Sequence, residues 1–472
     1  MPARSPAMHL TSALRLRPGE IIALVGAGGK TALMFRLADE LAAAGRRVVT
    51  TMTTKIFVSQ RARAPIALAL QDEDALLAQL PETLSRFGHV LVTGEAVVEQ
   101  DKIQGVPPQF VDRLANHEAV DAVIVEADGS RRKPFKAPAA HEPVIPAAAT
   151  LVVPVVGLDV LGKPLTAEFA HRPEIAAALA GISVGDPVTP ELIATIVAHP
   201  LAGAKGVPAG ARLIPFLNKA EDEVALAAAR RTARLLLAHS RVDSVIIGAA
   251  EAADPVIEVW GRVAAVVLAA GRGSRFGALK QLLPWRGIPL VAHVADQALA
   301  CTDVARVLVA VGAGEEEVRR ALAGRDVACV SVPDWAEGQS RSVQAGLRAA
   351  SAPNPPAPCP KKEGGEAESR AGGEVSAVLF LLADQPGVSP GLLSALIRRH
   401  RETLAPVVAP RHRGQRGNPV LFDRAVFGEF AGLAGDTGGR PIIQAHLHEV
   451  AWVDWPTAEI LQDIDTAEDY RP

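Results

Sequence analysis

The 472-residue chain is poor in cysteine. Its three, Cys301, Cys329 and Cys359, form no C-x-x-C pair and no even framework of the kind a secreted disulfide scaffold needs, so a reducing cytoplasm is the expected home. Long apolar runs are missing too: nothing approaches roughly 18 uninterrupted apolar residues, and the opening MPARSPAMHLTSALRLRPGE holds no continuous apolar core. Neither a membrane span nor export is therefore expected. Net charge is −3 and no block of like charges occurs, which argues against a nucleic-acid-binding surface and leaves small molecules as the expected partners. Arginine outnumbers lysine 38 to 11, so the few lysines are positions to inspect singly.

What is present is a soluble globular balance, 49% hydrophobic and 21% charged. Short apolar runs ending in glycine or an acid recur between Ala/Leu/Arg-rich helical stretches: IIALV, RVVTT, AVIVEAD, TLVVPVVG, RLIPFLNK and SVIIG, then AAVVLAAG, RVLVAVG, AVLFLLAD and PVVAP. Strands buried on both faces and alternating with helices imply parallel sheets with helices on each side, an α/β fold built twice. The link DPVIEVWGR divides the chain into domains over 1–255 and 262–472. Within the second, residues 351–376 are rich in Pro, Gly, Glu and Lys, and a disordered surface insertion is expected there.

The second half carries the more legible chemistry. The strand AAVVLAAG runs into a loop containing Gly271, Gly273 and Gly277, where backbone N–H groups can approach a polyphosphate while Arg275 and Lys280 supply charge. A glycine loop alone is equally a tight turn. A second strand, AVLFLLAD, delivers Asp384 at its carboxyl end, a position suited to holding Mg²⁺ beside phosphate oxygens. The terminal DIDTAEDY adds Asp463 and Asp465, either of which can complete a metal site; Asp465 or Thr466 can equally cap a short helix.

In order, LAAGRGSRFGALKQLLPW, WAEGQSRSVQAGL, FLLADQP, GNPVLF, GDTGGR and DIDTAEDY resemble the molybdenum cofactor cytidylyltransferase family, within the MobA-like nucleotidyltransferases. The resemblance implies a Rossmann-like three-layer sandwich and transfer of CMP from CTP to molybdopterin with release of pyrophosphate. It implies that Ala269, Ala270 and Gly271 line the base, that Arg275 and Lys280 hold the triphosphate, and that Asp384 with Asp463 or Asp465 binds Mg²⁺. Leu268, Gly273 and Ser274 fall in the same signature, and Ser342 matches a serine placed against cytosine. Ala270 stands where guanylyltransferase relatives have glycine, and Phe276 where the family often has methionine. Because the attacking phosphate is already ionised, no general base is needed, and His293 is read as a packing residue. Arg413, Arg416, Asn418, Asp436 and Arg440, with His412, are candidates for the side that grips an anionic pterin.

In the first half, IIALVGAGGKTALMFRLADELAAAGRRVVTT reads as strand, glycine loop, helix and strand. The loop through Gly26, Gly28 and Gly29 ends in Lys30 and Thr31, like a P-loop, where lysine meets phosphates and the hydroxyl meets Mg²⁺. It is not a regular Walker A, because Leu24 occupies the position of the first glycine. AVIVEADGS places Glu126 and Asp128 at a strand end, with Asp128 the metal candidate beside Thr31. PFLNKAE sets Asn218, Lys219 and Glu221 like the base-reading N-K-x-D of GTPases, with Glu for Asp. Lys133, Lys136, His141 and Glu142 lie in a proline-rich loop that is a ligand-binding candidate. The ensemble resembles the selenium-dependent hydroxylase accessory (YqeC-like) family, which implies a role in maturing molybdenum hydroxylases and an apo-hydroxylase as a possible partner. The expected protein is a bifunctional cofactor-maturation enzyme using Mg²⁺, CTP and molybdopterin, with an amino-terminal NTP-binding domain. A transferase acting on a sugar or polyol phosphate, and a nucleotide-switched cofactor carrier, remain as alternatives.

Overall fold

The computed structural model describes residues 8–97, 102–272, 279–353, 373–464 and 470. The chain divides into two compact units, Met1–Trp260 and Gly261–Pro472. Among the described residues no helix is long and apolar enough to cross a membrane.

The first unit is organised by a ten-stranded sheet. Its central strand, Glu20–Gly26, lies between Leu151–Gly157 and Ala122–Glu126, parallel to both. From Ser244–Gly248 through Phe216–Asn218, Leu151–Gly157, Glu20–Gly26, Ala122–Glu126, Val48–Met52 and His89–Thr93 to Ala67–Ala69, every neighbouring pair is parallel. These strands are apolar throughout because both faces are covered; Ile22, Ala23 and Leu24 are wholly buried, as are Ile124 and Val125. The helix Lys30–Ala43 follows directly on the glycine loop and buries Leu33, Met34, Leu37, Ala38 and Leu41 against the sheet. The run RLIPFLNK forms two short strands, Arg212–Leu213 and Phe216–Asn218, rather than one.

The second unit has an eight-stranded sheet that departs from the all-parallel expectation. Strands Ala328–Ser331, Arg306–Val311, Val263–Ala269 and Ala377–Leu382 are parallel, but the GNPVLF segment forms Val420–Asp423, antiparallel to both Ala377–Leu382 and Val407–His412. The reason lies in the connection. Between Val407–His412 and Val420–Asp423 runs a short turn carrying the Gln415–Arg416 strand, with no crossover helix to return the chain in the parallel sense.

Of the stretch expected to be a disordered insertion, residues 354–372 lie outside the described set, while its ends belong to the fold. Ser351 closes the helix Gln339–Ser351, and Val375 and Ser376 are buried. Buried Arg306 gathers the two ends, donating to Ala352 O at 3.0 Å and Gly373 O at 2.6 Å. Arg306→Ala removes a buried charged donor from part-buried carbonyls and should lower the stability of this unit by about 2 kcal/mol, read by urea denaturation of the whole chain.

Candidate functional site

In parallel α/β sheets the loops leaving the carboxyl ends of the strands converge, and there ligands bind. At that end of the first unit lies a cleft of about 890 Å³. Gly28 and Gly29 of the glycine loop, with Lys30 and Thr31, line one end of it. Gly28, at φ +87°, passes so close to the next strand that a Cβ would lie 2.1 Å from Gly157 N, so only glycine fits. The loop backbone is fixed from two sides. Gly26 N donates to Asp128 Oδ2 at 3.0 Å, and Gly28 O accepts from Asn218 Nδ2 at 2.7 Å.

Lys30 is buried, and its ammonium is held by Gly26 O at 2.7 Å, Asp128 at 3.1 Å and Glu126 at 3.7 Å. Burial opposes its charge, but Asp128, Glu126 and Glu142 outweigh burial and hold its pKa above the ordinary lysine value. Thr31 Oγ1 donates to Glu126 Oε2 at 2.8 Å. The structure thus sets Glu126, rather than the expected Asp128, against the Thr31 hydroxyl. Asp128 instead ties together Gly26, Lys30 and Lys136, the last at 2.9 Å. A Thr hydroxyl beside a carboxylate gives two hard oxygen donors, the chemistry that suits Mg²⁺.

The proline-rich loop is partly structural. Lys136 is buried and bonds to Gly129 O at 2.6 Å and Glu142 Oε2 at 2.8 Å, and Arg172 donates to Glu142 Oε2 at 2.7 Å. Lys133 donates to Glu168 O and lines the cleft, whereas His141 is exposed 3.9 Å from Glu142. Arg172 and His171 belong to no local motif and reach the cleft from a distant segment. Burial and the cations Arg172, Lys136 and Arg131 push the His171 pKa down to about 4. Lys55, Arg131 and Lys219 add further positive charge to the lining, so the cleft can take a polyanion.

In the second unit three strand ends meet. Leu268 is half-buried; Ala269 and Ala270 are buried and lead to exposed Gly271. Ala383 N donates to Leu268 O, and Ala313 N to Ala270 O, so the loop after Val263–Ala269 lies against the loops after both neighbouring strands. Asp384 is thereby placed beside the Ala269–Gly271 loop. The carboxyl-terminal segment docks here as well: Ile464 N donates to Asp384 O at 3.2 Å, and Gln385 Nε2 bonds to the carboxylate of Asp463. These contacts bring the Asp463–Ile464 backbone to the strand end that carries Asp384; among the described residues no group of three or more His, Cys, Asp or Glu that could hold a metal occurs. Gly273, Ser274, Arg275, Phe276 and Asp465 lie outside the described residues.

Lys280 is buried in a short turn directly after the glycine loop. Its neighbour Gln281, unnoticed in the sequence, is the loop's clamp: Nε2 donates to Ala269 O and Gly271 O, each at 3.1 Å. Ser342 is buried on the helix Gln339–Ser351, which packs Ala345 in a small cluster with Ala270. The GDTGGR loop closes on the start of that helix, with Ser340 N donating to Gly435 O and Gln339 N to Asp436 Oδ1. Arg413 and Arg416 are exposed; desolvation by the surrounding protein, and then nearby Arg440, lower the Arg416 pKa. Asn418 N donates to Ile460 O. His412 Nδ1 bonds to Trp455 O and His293 Nε2 to Pro386 O.

Glu142 supplies a pH signature. Burial would raise its pKa, but hydrogen bonds from Arg172 and Lys136, with their charge, hold it down at about 2 against an ordinary 4.5. A depressed carboxylate stabilises the fold fully above pH 4.5, and that contribution is lost as pH falls toward 2. The linked stabilisation is at most about 3 kcal/mol. Glu142→Gln should therefore be less stable than the parent at neutral pH and lose less on acidification, the gap narrowing in urea denaturation between pH 6 and 3.

Two family models match the chain: the YqeC protein over residues 22–174 and the MobA-like NTP transferase domain over residues 265–450. The uncharacterized protein YqeC of Escherichia coli (strain K12) is 35% identical over 199 residues, covering 42% of this chain and 75% of the relative. The 2-C-methyl-D-erythritol 4-phosphate cytidylyltransferase of Pelotomaculum thermopropionicum is 44% identical over 95 residues, 19% of this chain and 39% of that protein. Among solved structures, Rv0371C of Mycobacterium tuberculosis H37Rv in complex with manganese is 26% identical, with a TM-score of 0.34, and the match covers 44% of this chain and 96% of that one. The chain therefore belongs to the YqeC family through its first unit and carries a MobA-like NTP transferase domain in its second.

Proposed function

We propose that the second unit transfers CMP from CTP to the terminal phosphate of molybdopterin, and that the first binds a nucleoside triphosphate in its cleft in support of the same cofactor's delivery to an apo molybdenum hydroxylase. The observation that carries the transferase reading is the meeting of the Ala269–Gly271 loop, Asp384 and the Asp463–Ile464 segment at one sheet end, joined by the hydrogen bond from Ile464 N to Asp384 O. An oxygen of the acceptor phosphate attacks the α-phosphorus of CTP, the bond from that phosphorus to the bridging oxygen breaks, and pyrophosphate leaves. The nucleophile is already anionic, so the residues' work is positioning and charge neutralisation. Arg275 and Lys280 hold the triphosphate; Leu268, Ala269, Ala270 and Gly271, with Gly273, Ser274 and Ser342, bound the nucleoside, and Gln281 keeps the loop in shape. Mg²⁺, held by Asp384 with Asp463 or Asp465, would neutralise charge on the triphosphate.

In the first unit, the backbone of Gly26, Gly28 and Gly29 cradles phosphates, Lys30 supplies charge, and Thr31 with Glu126 would hold Mg²⁺, Asp128 positioning the loop and the lysine. Asn218, bonded to Gly28 O, joins this loop to the part of the cleft lined by Lys219. The identity to a cytidylyltransferase acting on a polyol phosphate favours a second reading for the acceptor of the other unit. The two separate by measuring pyrophosphate release from CTP and from GTP with Mg²⁺, using molybdopterin or a sugar or polyol phosphate as acceptor. Release with CTP and molybdopterin, lowered about 10²- to 10³-fold or more in Asp384→Ala, is expected. Release with a polyol phosphate instead would move the assignment to the second reading.

A further inference from the structure

One end of the first unit's cleft is left over once the phosphates are placed. There the loops after Phe216–Asn218 and Ser244–Gly248 bring Asn218, Lys219, Glu221, Ala250 and Glu251 to the lining. The buried Asn218 amide is a strut between the two ends: Nδ2 donates to Gly28 O at 2.7 Å, and Oδ1 accepts from Ala250 N at 2.9 Å. The contact is tight, since a Cβ on Gly29 would stand 2.2 Å from Asn218 Nδ2. The strut fixes the spacing from the phosphate loop to the side chains that follow it.

Lys219 holds a left-handed backbone at φ +66°, and its ammonium reaches Asp159 at 2.6 Å. Both residues line the cleft, and a lysine's methylene stem is an apolar surface of the kind that suits the face of a base. Two residues on, the exposed carboxylate of Glu221 also lines the cleft.

We infer that this cleft selects guanine nucleotides, through the Glu221 carboxylate reading the base edge at a distance from the phosphates set by Asn218; the inference rests on the cleft being a nucleotide site. A carboxylate offers only acceptors. Guanine presents two adjacent donors on its Watson–Crick edge, N1–H and the 2-amino group, which a carboxylate takes in bidentate fashion. Adenine and cytosine each place a ring-nitrogen acceptor in the centre of that edge, and uracil presents a single donor flanked by two carbonyls. Guanine is thus the base matched at two points, and the mismatched bases leave lone pairs facing a charge.

The test is competition of unlabelled nucleoside diphosphates against a fluorescent GDP analogue on the full chain, scoring only the binding that Lys30→Met removes. GDP should compete at concentrations at least about tenfold below ADP or CDP. In Glu221→Gln the new amide N–H meets the 2-carbonyl of xanthine where the 2-amino group of guanine now clashes. XDP should then bind better than GDP, and GDP more weakly than to the parent by about tenfold. Because Glu221 is exposed, this variant keeps its fold. ADP competing as well as GDP, or an unchanged GDP-to-XDP ratio in Glu221→Gln, overturns guanine selection and leaves the nucleotide site standing. Absence of any Lys30-dependent binding overturns both.

Discussion

A glycine loop that leaves a buried parallel strand has backbone polar groups with no ladder to satisfy them, and each one left bare inside the protein costs on the order of 1–3 kcal/mol. Both units meet this constraint by the same means, a side chain from elsewhere in the sequence that bonds to the loop backbone. In the first unit Asp128 accepts from Gly26 N and Asn218 donates to Gly28 O. In the second, Gln281 donates to Ala269 O and Gly271 O. The clamps hold Gly26–Gly29 in the first unit and Ala269 and Gly271 in the second, and the positions of Lys30 and Thr31 follow from the first.

Charge is arranged around the first clamp so that it survives burial. Asp128 faces two ammonium groups, Lys30 and Lys136, and Lys136 is shared with Glu142, which is shared with Arg172. Each buried ion has an opposite neighbour, the condition under which ion pairs are tolerated in an interior. The chain of pairs joins the glycine loop to the proline-rich loop and to the segment around His171. Cations outnumber carboxylates on the cleft wall. A polyanionic ligand would complete that balance.

The fold class was largely legible, because apolar runs buried on both faces and alternating with helices point to covered, mainly parallel sheets, and the runs around Ile22, Val123, Val152, Val266 and Val378 are such strands. The antiparallel Val420–Asp423 was not legible, since a short apolar run looks the same in either direction and the length of the connection decides. Site residues divide similarly. Gly26 to Thr31 and Asn218 to Glu221 announce themselves as local motifs, and so does Asp384. Arg172, His171 and Gln281 do not, because a charged or amide side chain acquires its role only from what the fold sets opposite it.

By itself the sequence determined two α/β units, the glycine loops that open at their strand ends, and the acids that follow neighbouring strands, because these are properties of local pattern and backbone conformation. Tertiary structure alone decided which acid does what. Glu126 and Asp128 are two residues apart and chemically alike, yet Glu126 faces the Thr31 hydroxyl while Asp128 is enclosed by Gly26, Lys30 and Lys136. That difference arises from where the strand ends and its loop turns inward, and from the distant lysine the turn meets, neither of which a single stretch of sequence contains.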